Sequence, residues 1–126
     1  MMSEDTARAY ATAWSTGDSA GVASFYAIDG AICINRGDVS KGREQVTAMA
    51  AGFHAEFPDL IVHLDSFRST ADHALFVWTL EGHHATTGNH VKVQGWEEWD
   101  LTPEGKVAYS LGWFDAEEYD RQVAGG

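Results

Sequence analysis

The residues whose types could do chemistry are His84 and Glu98. An imidazole that titrates near neutrality, beside a carboxylate whose pKa burial would raise, can move protons on a bound carbonyl. A His at the end of a strand can equally be a plain loop hydrogen-bonder. His83, His84 and His90, with Asp72 and His73 on another turn, form a second constellation. None of them has the helical i, i+4 spacing of His-Glu-x-x-His, and His clusters in loops are usually solvated, so no metal is expected. Cys33 lies in an apolar run without a basic partner, and Ser110 has no nucleophile-elbow context. Gly37, Gly42 and Gly52 are too dispersed to cradle a phosphate. Acid–base chemistry without a cofactor is what remains.

The elements that must position these residues change character along the chain. Ser3 or Asp5 can cap a helix in which Ala7, Tyr10, Ala11 and Trp14 recur at helical spacing. Ser15-Thr16-Gly17-Asp18 is a stop and restart, and a short second helix follows with Val22, Phe25 and Tyr26. Ala31 to Ile34 is a small strand. From Gly42, the positions Val46, Met49, Ala50, Phe53 and Phe57 keep helical spacing until Pro58 stops it. Beyond Pro58 the period becomes that of strands: Leu60 to Phe67, Ala74 to Glu81, Val91 to Leu101 and Val107 to Phe114. Asp115 reads as the N-cap of a closing helical turn that reaches Gln122. Helices followed by a run of antiparallel strands make an α+β fold, with helices packed on one face of a curved sheet.

Composition limits the function classes. The 126 residues correspond to one domain, and 44% hydrophobic with 12% aromatic residues is enough for a packed core. Eight Lys and Arg against nineteen Asp and Glu give a net charge of -11, which repels a nucleic-acid backbone or an anionic membrane. Acid rather than base in the opening residues argues against a signal peptide, and a lone Cys requires no oxidising compartment, so a cytoplasmic location is expected.

The order of elements resembles the SnoaL-like branch of the nuclear transport factor two-like superfamily. The residues that carry the resemblance are Trp14-Ser15-Thr16-Gly17-Asp18, Gly42-Arg43-Glu44, Phe57-Pro58-Asp59-Leu60, Gly82-His83-His84, Glu104-Gly105-Lys106-Val107 and Trp113-Phe114-Asp115. The resemblance implies a conical, curved antiparallel sheet wrapped around three helices, a deep cavity between them, and a homodimer through the outer sheet face. It does not imply one activity, since polyketide cyclases, ketosteroid isomerases, epoxide hydrolases and non-catalytic domains share this fold. It places His84 on the cavity side. Counted from the Glu104-Gly105 hairpin, the catalytic aspartate of the cyclases falls on Gly112, which has no side chain, and a cavity histidine falls on Glu98.

Strand parity leaves two arrangements open. Val91, Val93, Trp99 and Leu101 occupy the odd positions of their strand, and Trp96 and Glu98 the even ones; in the last strand Ala108, Ser110 and Gly112 are even, and Tyr109, Leu111 and Trp113 odd. Either the even positions line a cavity and the bulky odd ones pack on a second subunit, or the odd ones are core and Glu98 is solvated. Gly95 could host a bulge that changes parity.

The expected function is binding of a small hydrophobic cyclic or carbonyl-containing molecule in an internal cavity, for cofactor-free chemistry of isomerase, cyclase or hydrolase type. His84 and Glu98 are its catalytic pair. Its walls come from Trp14, Tyr26, Phe53, Phe57, Trp78 and Trp96, with space left by Ser110 and Gly112. The alternative is a non-catalytic ligand-binding or protein-association domain.

Overall fold

The computed structural model describes residues 2–126. The Ser3 hydroxyl accepts the Thr6 N–H and opens helix α1, Glu4–Ser15, whose first turn carries Glu4 and Asp5 at the positive end of the helix dipole. Asp18 caps the six-residue α2, Ser19–Ser24, through the Gly21 N–H. Strand β1 is Tyr26–Ile34, followed by the short β2, Val39–Lys41, and helix α3, Gly42–Glu56. Strands β3, Ile61–Ser69, β4, His73–His83, β5, His90–Leu101, and β6, Val107–Phe114, complete the sheet. Helix α4, Ala116–Ala124, is capped by Asp115, as its sequence suggests.

Two local expectations are corrected, and one strand is added. Phe25 and Tyr26 are not helical: Tyr26 opens β1, where Arg43 from α3 donates two hydrogen bonds to its carbonyl oxygen at 3.0 and 2.8 Å. The edge strand β2 has only three residues, too few to show a period in sequence. The sheet, in the order β2-β1-β6-β5-β4-β3, is also not wholly antiparallel, because β1 runs parallel to β6. A shift of register between Tyr26 and Ala31 brings these two strands together, and a Cβ at Gly30 would fall 2.6 Å from the Val107 carbonyl oxygen.

The parity question resolves differently for the two strands. In β5 burial alternates without a break, with every odd position inside, so Gly95 hosts no bulge. It instead admits the Trp78 indole, whose Cζ2 would lie 2.5 Å from a Cβ there. In β6 the even positions Ser110, Gly112 and Phe114 face inward, because the register pairs Trp99 with Ser110 and Glu97 with Gly112. A shift at Asp100/Leu101 leaves Val107 inside as well. Trp99, Phe76, Tyr10, Phe57 and Val107 are fully buried between the sheet and the helices. At about 1.5–3 kcal/mol for each large apolar side chain removed from water, this layer holds the helices to the sheet.

Candidate functional site

Glu97 is the charged residue in that layer, and its carboxyl group is buried. Four donors from four places in the chain converge on it. Ser110, opposite Trp99 on β6, donates to Oε1 at 2.8 Å, and the Trp99 indole Nε1–H donates to the same oxygen at 3.0 Å. Tyr26, at the start of β1, reaches Oε1 at 3.2 Å. Tyr10, from α1, lies 3.1 Å from both carboxyl oxygens, and its hydroxyl is 3.0 Å from that of Tyr26. The Tyr10 ring is fixed edge-on against Phe25, Phe76 and Trp99, with centroids 5.5, 5.3 and 5.2 Å away. These packed rings hold the hydroxyl on target.

Burial pushes the Glu97 carboxyl above its ordinary range, and the hydrogen bonds from Trp99, Ser110, Tyr10 and Tyr26 pull the other way without cancelling it. Tyr10 and Tyr26 are raised too, by burial first and then by the charge of Glu97, so both remain neutral phenols.

An apolar pocket of about 50 Å³, partly open to the surface, reaches Glu97. Trp14 of α1 and Phe53 of α3 lie on one side of it, and Ile32, Phe76, Trp78 and Val93 come from the sheet. Phe114 and Tyr119 pack with their rings tilted and their centroids 5.4 Å apart where β6 passes into α4, and burial pushes the Tyr119 phenol up to about 12. Glu97 is the one charged side chain in the lining among the described residues. The volume is well below the roughly 300 Å³ at which ordinary small-ligand pockets begin. It is narrower than the deep cavity that the fold resemblance implies.

The expected catalytic pair does not meet. Glu98 is on the outer face of β5, half exposed, with its carboxylate 3.0 Å from His73 Nε2. The same ring reaches Asp100 at 3.3 Å, and the Glu98 hydrogen bond, then Asp100, holds His73 above its usual value. His84 follows β4 at the far end from Leu75, the residue that Glu98 faces, roughly 30 Å away at about 3.3 Å per strand residue. Its Nδ1 accepts the Thr86 and Thr87 N–H groups, its Nε2 lies 3.5 Å from Glu56, and its ring packs on Phe57. It is a loop-ordering histidine outside the pocket lining.

Of the expected wall, Trp14, Phe53, Trp78 and Gly112 line the pocket. Tyr26 and Ser110 instead bind the Glu97 carboxyl, Phe57 is core beneath Tyr119, and Trp96 stands on the outer face, 44% exposed, beside Trp113. Glu97 was missed by sequence reasoning. Its signal is a carboxylate on the otherwise apolar odd face of β5, directly across the register from Gly112. Glu97 thus lies on the neighbouring strand beside position 112, where the resemblance implied an acid. Among the described residues, no group of three or more His, Cys, Asp or Glu side chains is disposed to hold a metal ion.

The fold is shared widely among solved structures. A protein of Catenulispora acidiphila with a ketosteroid isomerase-like fold, solved in complex with trimethylamine, superposes with a TM-score of 0.87 at 18% identity, over 98% of this chain and 95% of that one. A cystatin-fold protein of Novosphingobium aromaticivorans gives 0.75 at 20% identity, over 89% and 97%. The epoxide hydrolase/cyclase-like enzyme SalBIII, of pyran ring formation in the polyether salinomycin, gives 0.78 at 15% identity, over 94% and 97%. At such identities these likenesses establish the fold alone. No curated protein matches the chain in sequence. No helix is long and apolar enough to cross a membrane. The family model for SnoaL-like polyketide cyclases matches residues 4–123, and the chain belongs to that family.

Proposed function

We propose that the chain binds a small, largely apolar molecule in the pocket between Trp14, Phe53 and Trp78 and moves a proton on it, without a cofactor, using the Glu97 carboxylate as general base. The observation that carries this reading is a fully buried carboxyl group, raised in proton affinity, at an otherwise apolar pocket. Membership of a cyclase family supports acid–base chemistry of this kind. The trimethylamine held by the Catenulispora protein supports a ligand of a few heavy atoms. Glu97 takes the place that His84 and Glu98 were expected to fill. A binding-only reading has one observation in its favour, since every buried side-chain nitrogen and oxygen among the described residues already has a partner.

The two readings separate in one experiment. A panel of small amines, alcohols and ketones is screened by ligand-observed NMR in D2O, following deuterium exchange at carbons next to the polar group. Exchange accelerated by the wild type and lost in Glu97→Gln supports catalysis. Binding without accelerated exchange overturns catalysis and leaves the binding domain.

The outer face is proposed to pair with a second copy of the chain. Trp96 faces Trp113 and Glu98 faces Leu111 in register, so the two indoles and Leu111, which is 48% exposed, form one apolar patch across β5 and β6. Sedimentation at micromolar concentration should give a dimer that Trp113→Lys converts to a folded monomer. A monomeric wild type overturns the pairing.

A further inference from the structure

We infer that Tyr10 and Tyr26 are positioning residues for the proton of Glu97: the carboxyl group carries it on Oε2, donates it to the Tyr10 hydroxyl, and so closes a ring of hydrogen bonds that returns through Tyr26 to Oε1. The structure thus holds the proton-loaded form of the group. The bearing of this on catalysis rests on the reading of Glu97 as the group that moves a proton, whereas the ring itself needs no ligand.

Without that proton the hydrogen bonds around Glu97 are one short. Ser110 lies 2.8 Å, the Trp99 indole 3.0 Å and Tyr26 3.2 Å from Oε1, Tyr10 lies 3.1 Å from both carboxyl oxygens, and the two phenol oxygens are 3.0 Å apart. Each of the four groups has one proton to give, since Trp99 carries a single N–H and both phenols are neutral. A carboxylate can only accept. If Tyr10 donates to it, the contact between Tyr10 and Tyr26 sets lone pairs against each other. If Tyr10 donates to Tyr26, its own contact with the carboxylate is the empty one. A protonated Oε2 fills both, because Oε2–H donates to Tyr10, Tyr10 to Tyr26, and Tyr26 to Oε1.

The two carboxyl oxygens differ in the way this requires. Oε1 is in reach of Ser110, Trp99, Tyr26 and Tyr10, which suits a carbonyl oxygen that only accepts. Oε2 meets Tyr10 alone, and that hydroxyl has a lone pair for a donated proton. The lengths agree. A hydroxyl donating to an ionised oxygen closes to about 2.5–2.7 Å, and the phenols stand at 3.1 and 3.2 Å.

No cation offsets a charge on the group. Its partners are Tyr10 from α1, Tyr26 from β1, Ser110 from β6 and Trp99 from β5 itself, and Phe76 of β4 packs on Tyr10 and Trp99. Arg43 of α3 reaches this cluster but donates to the Tyr26 carbonyl oxygen, and among the described residues no ion pair includes Glu97. Tyr119 of α4, which shares the pocket lining with Glu97, is a phenol held neutral by burial. Burial of Glu97 acts in the same direction as the ring and raises its hold on the proton. None of the four partners lines the pocket, so Tyr10 and Tyr26 act on a ligand only through Glu97. When the proton leaves, Tyr10 turns its own from Tyr26 to the carboxylate, and the hydrogen bond between the phenols of α1 and β1 is broken.

The test is a titration of the Glu97 carboxyl carbon, followed by NMR from pH 4 to 8 with no ligand present, in the wild type, Ser110→Ala and Tyr26→Phe. Ser110 donates to Oε1 in either form, and more strongly to the ion, so Ser110→Ala should raise the midpoint. Tyr26→Phe should move it the other way, down by about one unit, or tenfold in proton affinity. With Phe at position 26 the remaining three donors all find the carboxylate, and a proton is left without a partner only when Glu97 is protonated. A midpoint raised by Tyr26→Phe, as by Ser110→Ala, makes Tyr26 a plain donor to an anion and overturns the ring. Since either substitution can disturb folding, the wild type gives a second readout. At pH 6, where a carboxyl with the ordinary value of 4.5 is ionised, the Glu97 carbon should still stand at the position of a protonated acid. With no ligand in the sample, a failed deuterium-exchange experiment leaves these midpoints where they are, so the loss of catalysis and the loss of the ring are told apart. A Glu97 that is ionised at pH 6 overturns the ring.

Discussion

Glu97 and Glu98 are neighbours in the chain with the same side chain, and they live under opposite physics. Glu97 points into a layer of rings, where it is dehydrated and receives four donors. Glu98 points the other way, half exposed, with its carboxylate 3.0 Å from His73. The difference teaches that the function of an acid in a sheet is set by one bit of information, the face, and that this bit comes from register rather than from composition. Removing each side chain should expose the difference at its largest. Glu97→Ala strands several buried donors and opens a void, and it should cost about 3–5 kcal/mol in urea unfolding at pH 7. Glu98→Ala should stay within about 0.5 kcal/mol of the wild type, as exposed pairs usually do. Equal costs for the two would mean that Glu97 is hydrated and that the comparison is false.

A smaller perturbation sharpens the same contrast through pH. Ser110 is fully buried and donates to Glu97, while Thr79 donates to Asp65 at 2.6 Å on the exposed face. Ser110→Ala should cost about 1–2 kcal/mol once the pH has risen through the folded Glu97 midpoint and the carboxyl is ionised, and less at pH 4, below its ordinary value, where the protonated carboxyl needs the donor less. Thr79→Ala should change little at either pH. The sign for Glu97 itself follows from its raised proton affinity. The folded state holds this proton more tightly than the unfolded chain, so the contribution is present below the ordinary value of 4.5 and is lost as pH rises through the folded value. Glu97→Gln should remove that downward slope, which is measured by comparing unfolding midpoints from pH 4 to 8.

Most of the fold was legible because local rules and tertiary packing agree. Ser3 and Asp18 cap their helices, Pro58 follows α3, and Asp115 caps α4. The aromatic wall was half legible: Trp14 and Phe53 sit on helices whose period shows which side is buried, and they line the pocket. The site was not legible, for a reason of geometry. In an antiparallel pair whose register joins Glu97 to Gly112, odd residues of one strand share a face with even residues of the other. Matching even with even therefore set Glu98 and Trp96 beside Ser110 and Gly112, one residue away from the truth. The shift of register at Asp100/Leu101 lies between the hairpin and the site, so counting out from Glu104-Gly105 carries the error along. In sequence Tyr10 looked like the apolar face of a helix and Tyr26 like cavity wall, since nothing local marks a buried hydroxyl as the partner of a distant carboxyl.

The finest difference between the faces is their response to salt. His73 is held above its ordinary value of 6.5 by hydrogen bonds to Glu98 and Asp100 on a surface where all three side chains meet water. Its pairing stabilises the fold below that value and is lost as pH rises through the folded one. Charges so exposed are screened over about 10 Å at 0.1 M salt and about 3 Å at 1 M, so the His73 midpoint, read from its imidazole NMR signals, should relax towards 6.5 as NaCl is raised. The Glu97 midpoint, read from its carboxyl carbon, should hardly move, because burial rather than an exposed ion pair sets it and no ions enter the aromatic layer. A Glu97 midpoint that followed salt as His73 does would place water and ions at the carboxylate. Its raised proton affinity would then lose its cause.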